Sequence, residues 1–196
     1  MKLKGAMDET LLRKPIFLVG YMGCGKSTLG RKLAHHLCCR MVDTDRMVEN
    51  NEGASVADVF HYEGETYFRE VERKALEESI QKTQRVVVST GGGLPVWKDN
   101  MVWMNHVGMT IFLRRSATQI ASRMSPYGRQ KRPRLRGLSD EELVAFMEKD
   151  MQERNPFYEQ AAYCLDCDQR SDQEIVDEII ERLIPDYGMK IVEQNK

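Results

Sequence analysis

The stretch Gly20-Tyr21-Met22-Gly23-Cys24-Gly25-Lys26-Ser27-Thr28 matches the phosphate-binding pattern G-x-x-x-x-G-K-[ST] in full. It follows Ile16-Phe17-Leu18-Val19, an apolar run that reads as a buried strand. It opens onto residues 28–37, where Leu29, Leu33, Ala34 and Leu37 recur at helical spacing. A strand before and a helix after separate this motif from a chance Gly-rich turn. Glycines let backbone N–H groups wrap a phosphate, and the helix N-terminus adds the positive end of its dipole. On this reading Lys26 reaches the β- and γ-phosphates and Ser27 sets its hydroxyl on Mg²⁺, with Gly23, Cys24, Gly25 and Thr28 completing the cradle. The loop predicts binding of a nucleoside triphosphate.

Working outward, apolar runs recur at 41–42, 86–89, 109–113 and 163–165, with helical stretches between them. Strands alternating with helices predict a parallel sheet of five strands covered by helices on both faces. Residues 55–61 and 65–81 read as helices, separated from a short preceding helix by a break at 50–54. Ser139, followed by Asp140, Glu141 and Glu142, reads as a helix N-cap. Residues 1–14 read as a lead-in of mixed charge.

At 196 residues the chain fits a single domain, its core spanning about 15–185. Its 29 basic and 30 acidic residues nearly cancel, which argues against nucleic acid or an anionic membrane as partner. No apolar run has the length of a membrane span and the first residues lack a signal-peptide core, so a cytoplasmic location is expected. The five cysteines are an odd number, which disfavours a disulfide framework. Cys38-Cys39 with Cys164 and Cys167 offer a zinc-site alternative, against the plainer reading of semi-buried thiols. Cys24, beside a helix N-terminus, is a candidate for a lowered pKa and for alkylation.

Three further segments carry chemistry. Asp43-Thr44-Asp45 ends the second strand, and on extended chain its two carboxylates point to the same side. One suits hydrated Mg²⁺ and the other a substrate hydroxyl; the rival reading is a pair of helix caps. Gly91-Gly92-Gly93 follows the third strand, where a metal-binding acid commonly stands, and offers bare backbone for close ligand approach. Residues 122–138 hold Arg123, Arg129, Lys131, Arg132, Arg134 and Arg136 and no acid, a pattern of a flap closing over phosphates rather than a solvated face or nucleic-acid patch. Arg69 and Glu72 share a helix face, an arrangement that is most often surface decoration. Arg154 stands beside Pro156, which ends or kinks a long helix.

Taken in order, the Gly-x-x-Gly-x-Gly-Lys-Ser loop, Asp43-x-Asp45, Phe68-Arg69-x-x-Glu72, Gly91-Gly92-Gly93, Arg132-Pro133 and Arg154-x-Pro156-x-Tyr158 resemble the shikimate kinases over about residues 15–184. The resemblance implies a P-loop kinase of the nucleoside-monophosphate-kinase type, with a substrate-binding helical region and a mobile lid at about 122–138. It implies transfer of the γ-phosphoryl of ATP to the 3-hydroxyl of shikimate. Asp45, Arg69, Gly91, Gly92 and Arg154 would hold shikimate, Ser27 and Asp43 the Mg²⁺, and Lys26 and Arg132 the phosphates. Arg170, in the loop after the last strand, would meet the nucleotide. Where family lids continue Arg-Pro-Leu-Leu, this chain reads Arg132-Pro133-Arg134-Leu135.

Paired arginines suit a carboxylate, for which lysine is a poor substitute. Asp45 would accept from ring hydroxyls, while Lys26, Arg132 and the metal spread the transition-state charge. A gluconate or adenylate kinase is the nearest alternative, and a nucleotide-gated scaffold without catalysis a more distant one. A monomer acting on small molecules is expected.

Overall fold

The computed structural model describes residues 14–81, 85–130 and 132–186; the expected lead-in lies outside them apart from Lys14. Five parallel strands form one sheet: β1 (Ile16–Val19), β2 (Arg40–Asp43), β3 (Val86–Ser89), β4 (Met109–Arg114) and β5 (Tyr163–Asp166), in the order β2-β3-β1-β4-β5. Every residue of β1 and β3 is buried. Parallel strands covered on both faces read as continuous apolar runs, which is why these two were visible without alternation. The edge strands β2 and β5 are only partly buried.

Adjacent residues on β1 show how the layers are filled, since successive side chains point to opposite faces. Leu18 meets Gly30 of α1 (Lys26–His36), which packs with α8 (Asp172–Glu178) on that face. Phe17 meets Trp103 of α4 (Asn100–Val107), with ring centres 6.1 Å apart. Phe112, on the same face of β4, meets Tyr158 of α7 (Asp140–Tyr158) at 5.3 Å. The remaining α-helices are α2 (Thr44–Glu52), α3 (Val56–Gln81), α5 (Ala117–Arg123), α6 (Pro126–Gln130) and the short α9 (Ile184–Asp186). A π-helical turn, Ile179–Leu183, extends α8.

The two helices expected at 55–61 and 65–81 run together as α3, broken at Gly64, whose φ of 84° and ψ of 174° lie outside the helical region. Ser139 caps α7 through a reciprocal pair: its hydroxyl accepts from the Glu142 N–H, and Glu142 accepts from the Ser139 N–H. Pro156 falls in the last turn of α7, which stops at Tyr158. No described helix is long and apolar enough to cross a membrane. The zinc alternative fails on topology: Cys38 and Cys39 lead into β2 while Cys164 lies in β5 and Cys167 directly follows it, at opposite edges of the sheet.

Connections from β1 and β3 leave in opposite directions across this sheet, so the chain switches at the carboxyl end of β1. That is where open α/β sheets hold ligands. The Gly20–Ser27 loop grows from this position.

Candidate active site

Gly23 and Gly25 take φ values of 81° and 110°, a region that other residues avoid, and Gly25 caps α1. The turn they make leads into α1, whose first residues Lys26, Ser27 and Thr28 line the cleft. Lys26 is only 7% exposed, and its ammonium donates to the carbonyls of Gly20 at 2.7 Å and Tyr21 at 2.9 Å. Behind the loop, Arg115 donates Nε to the Cys24 carbonyl at 3.2 Å. Both its terminal nitrogens are buried without a hydrogen-bond partner among the described residues. Sequence analysis passed over Arg115, although its place just past β4, at the ligand-bearing edge of the sheet, was a usable signal. Cys24 is 1% exposed, so the expectation of an alkylatable thiol does not hold.

β3 ends without an acid, and the neighbouring strand brings one beside it. Asp43 and Ser89 are register partners at the ends of β2 and β3. Ser27 donates its hydroxyl to Asp43 Oδ2 at 2.6 Å and lies 3.2 Å from the Ser89 hydroxyl. Asp45 reaches the same cleft by a different route from the one expected. The strand stops at Asp43, and Asp45 sits in the first turn of α2 rather than on extended chain. Burial, then the charge of Asp43, pushes its carboxyl up to about 6, while Lys26 pulls the other way.

A cleft of about 270 Å³ joins the loop residues Met22, Gly23, Gly25, Lys26, Ser27 and Thr28 to Asp43, Asp45, Ser89, Thr90, Gly92 and Arg132. Arg132 donates Nη1 to the Gly128 carbonyl at 2.5 Å, and burial lowers its pKa. Arg69 and Arg154 do not line this cleft but border it. Arg69 is close enough to Asp45 to favour its charged form, and Arg154 does the same for Glu72.

Arg69 and Glu72 are not surface decoration. Nη1 of Arg69 donates to Glu72 Oε2 at 2.6 Å, and the Glu72 side chain is 1% exposed. Burial pushes Glu72 up to about 7 against the pull of Arg69. The guanidinium of Arg69 also lies over the rings of Phe60 and Phe68, at 5.4 and 5.2 Å. The glycines after β3 have their reason here. A Cβ on Gly91 would fall inside contact distance of Glu72 Oε1 and Asp45 Oδ1, and one on Gly93 would meet the Arg69 guanidinium. Neither has a positive φ, so both positions are constrained by space, not by backbone conformation. The Gly91 N–H is taken by the Thr44 hydroxyl at 2.8 Å, and the Gly92 carbonyl accepts from the Tyr158 hydroxyl at 2.5 Å. Gly91 and Gly93 thus make room for protein side chains, while Gly92 between them lines the cleft.

Arg170 does not line the cleft. It donates to the Asp166 and Glu174 carbonyls and pairs with Glu178 at 2.6 Å, within its own loop and helix.

A parallel α/β sheet with this loop at its switch point, and an acid, a lysine and an arginine converging on it, defines a P-loop kinase. Comparison with known proteins narrows the class. The family described as shikimate kinase matches residues 22–184. A shikimate kinase of Bacteroides fragilis is 40% identical over 168 residues, covering 86% of this chain and 93% of the relative. The crystal structure of shikimate kinase from Bacteroides thetaiotaomicron superposes with a TM-score of 0.79 at 38% identity, over 90% of this chain and 99% of the other. That of the Acinetobacter baumannii enzyme in complex with shikimate gives 0.78 at 30% identity, over 93% and 97%. The chain belongs to the shikimate kinase family.

Proposed function

We propose that this chain transfers the γ-phosphoryl group of ATP to the 3-hydroxyl of shikimate, giving shikimate 3-phosphate and ADP. The observation that carries the reading is the shared cleft, in which Lys26 and Ser27 stand opposite Asp45, with Arg69 and Arg154 at its border. Phosphoryl transfer is mostly positioning and charge neutralisation. The loop amides and Lys26 bind the phosphates. Arg69 and Arg154 grip the shikimate carboxylate, and Asp45 orients the attacking hydroxyl and accepts its proton. Arg132 reaches the transferring group as residues 122–138 close over the cleft, the lid of a single-domain enzyme.

The donor set fits Mg²⁺. Hard oxygens of Ser27 and Asp43 lie 2.6 Å apart at the loop, and the Ser89 hydroxyl is next to them. Bound there, Mg²⁺ would neutralise charge on the β- and γ-phosphates. Arg170 would turn out of its loop to meet the nucleotide, exchanging the Glu178 pair for it.

An assay coupled to ADP release, with shikimate, gluconate and AMP each offered as acceptor, tests the reading. Turnover with shikimate alone is expected. Turnover with gluconate or AMP in its place overturns it.

A further inference from the structure

Three side chains, Tyr21, Arg134 and the expected clamp residue Arg154, meet on one buried carboxylate that the sequence did not single out. Asp150 of α7 is 8% exposed, although it lies on a helix whose outer face is charged. Its Oδ2 accepts from the Tyr21 hydroxyl at 2.8 Å and pairs with Arg154 Nη2 at 3.2 Å. Its Oδ1 faces Arg134 Nη1 at 3.7 Å, on the segment expected to close. Tyr21 is itself 2% exposed, and the Arg154 guanidinium lies over its ring at 5.7 Å. The Tyr21 carbonyl accepts from Lys26. A continuous chain of contacts therefore runs from the loop lysine through Tyr21 and Asp150 to Arg154.

We propose that Asp150 is a positioning residue for the acceptor site: clamped by Tyr21 to the phosphate loop, it fixes the guanidinium of Arg154 in the orientation that receives the substrate carboxylate. The proposal rests on the reading of Arg154 as a carboxylate clamp. The geometry favours positioning over competition for the same guanidinium. Nη2 of Arg154 meets Asp150 and the Tyr158 hydroxyl also takes a hydrogen bond from the guanidinium, and a planar group with five N–H donors retains others for a second anion. A buried carboxylate with no donor would be costly, and here the Tyr21 hydroxyl and the two arginines compensate it. The Tyr21 donor comes from the loop that binds the nucleotide, so the arginine is indexed to the phosphates and not merely to its own helix.

Steady-state kinetics on the full chain test this. Asp150→Asn keeps an oxygen for Tyr21 but removes the charge; the KM for shikimate should rise about tenfold, with the KM for ATP changed less than twofold. Tyr21→Phe, which removes a single hydroxyl and preserves packing, should raise the shikimate KM by about threefold. Combining Asp150→Asn with Arg154→Lys should cost less than the product of the single effects, because the two act on one group. A shikimate KM that is unchanged or lowered in Asp150→Asn, while Arg154→Lys raises it, overturns the positioning role and leaves the clamp standing. An equal rise in both KM values with a lowered melting temperature overturns it in favour of a purely structural contact. An unchanged shikimate KM in Arg154→Lys overturns clamp and proposal together.

Discussion

Arg69 Nη1 and Glu72 Oε2 stand 2.6 Å apart with the carboxylate closed off from solvent, and the second carboxylate oxygen has no hydrogen-bond partner among the described residues. Such a pair is weak evidence for stability, because desolvating both charges offsets most of their attraction. What it does accomplish is orientation. Glu72 holds one edge of the guanidinium and the rings of Phe60 and Phe68 hold its face, so the group is fixed before any ligand arrives.

Arg69→Lys keeps the charge and loses the planar two-pronged grip on a carboxylate. Shikimate binding should weaken by about 1.5–3 kcal/mol, the scale of a hydrogen bond to a charged group, with ATP affinity nearly unchanged. The methyl ester of shikimate should show the same loss in the wild type and little further loss in the variant. An ester that binds as well as the free acid would remove the carboxylate from the role given to Arg69.

Lys26→Met should abolish ADP release. The lysine is buried and donates to two loop carbonyls, so it is not the exposed, structurally neutral residue that its place in a loop suggests. Losing both bonds should also lower stability by about 1–2 kcal/mol, read by urea unfolding. Retained turnover would take the phosphate role away from this loop.

Asp45 carries a sign that can be checked. Its folded pKa of about 6 lies above the ordinary aspartate value of 3.8, so the native state holds the proton more tightly than the unfolded chain. The stability this adds is full below about pH 4 and is lost as pH rises through about 6. Asp45→Asn should therefore unfold at higher urea than the wild type at pH 7.5, by on the order of 1 kcal/mol once the opening of the group to the cleft is discounted, and the two should converge near pH 4. Turnover needs the charged carboxylate, so wild-type kcat/KM should fall below about pH 6 while the variant stays inactive. A variant less stable than the wild type at pH 7.5 would contradict the burial argument.

The Gly91–Gly93 run answers to space. Gly91→Ala sets a methyl group against Glu72 Oε1 and Asp45 Oδ1, neither of them a freely moving surface atom. Overpacking of this kind costs about 1–3 kcal/mol. Shikimate binding should fall with it as Asp45 is displaced, while nucleotide binding, followed by fluorescence, should persist. Equal loss of both ligands would mean that the turn itself had collapsed.

Much of this was legible in the chain. β1 and β3 are apolar on both faces, and their limits fall where the runs begin and end. The loop, Asp43 and Asp45 were visible because their spacing is fixed by backbone geometry close in sequence. Residues that act through distant contacts were not. Glu72 looked like a surface partner because i, i+3 spacing says nothing about depth, and its burial is set by Gly91, nineteen positions on. Asp150 and Tyr21 are separated by 129 positions, a pairing that only the packing of α7 beside the loop creates. Arg115 carried no motif at all. The Asp45 reading reached the right cleft through the wrong local structure, since the first turn of a helix and an extended strand can deliver a side chain to the same edge.

The last prediction concerns residues 122–138. In this structure the segment is tied by Arg129 to Asp140 at 2.6 Å, by Arg134 over the ring of Phe146 at 4.9 Å, and by Leu135, which is 1% exposed. Arg132 turns inward to the cleft, where burial disfavours its charge until an anion shares the space. Arg134 and Arg136 remain exposed, which makes them accessible to trypsin. Adding ATP with Mg²⁺ should slow cleavage within the segment several-fold, because triphosphate charge draws Arg132 in and the flanking residues follow. Arg132→Ala should cut kcat by about 100-fold, the scale of one preorganised donor to developing charge, and should abolish the nucleotide-dependent protection while leaving the melting temperature nearly unchanged. Equal cleavage with and without nucleotide in the wild type would return the segment to a static, solvated face.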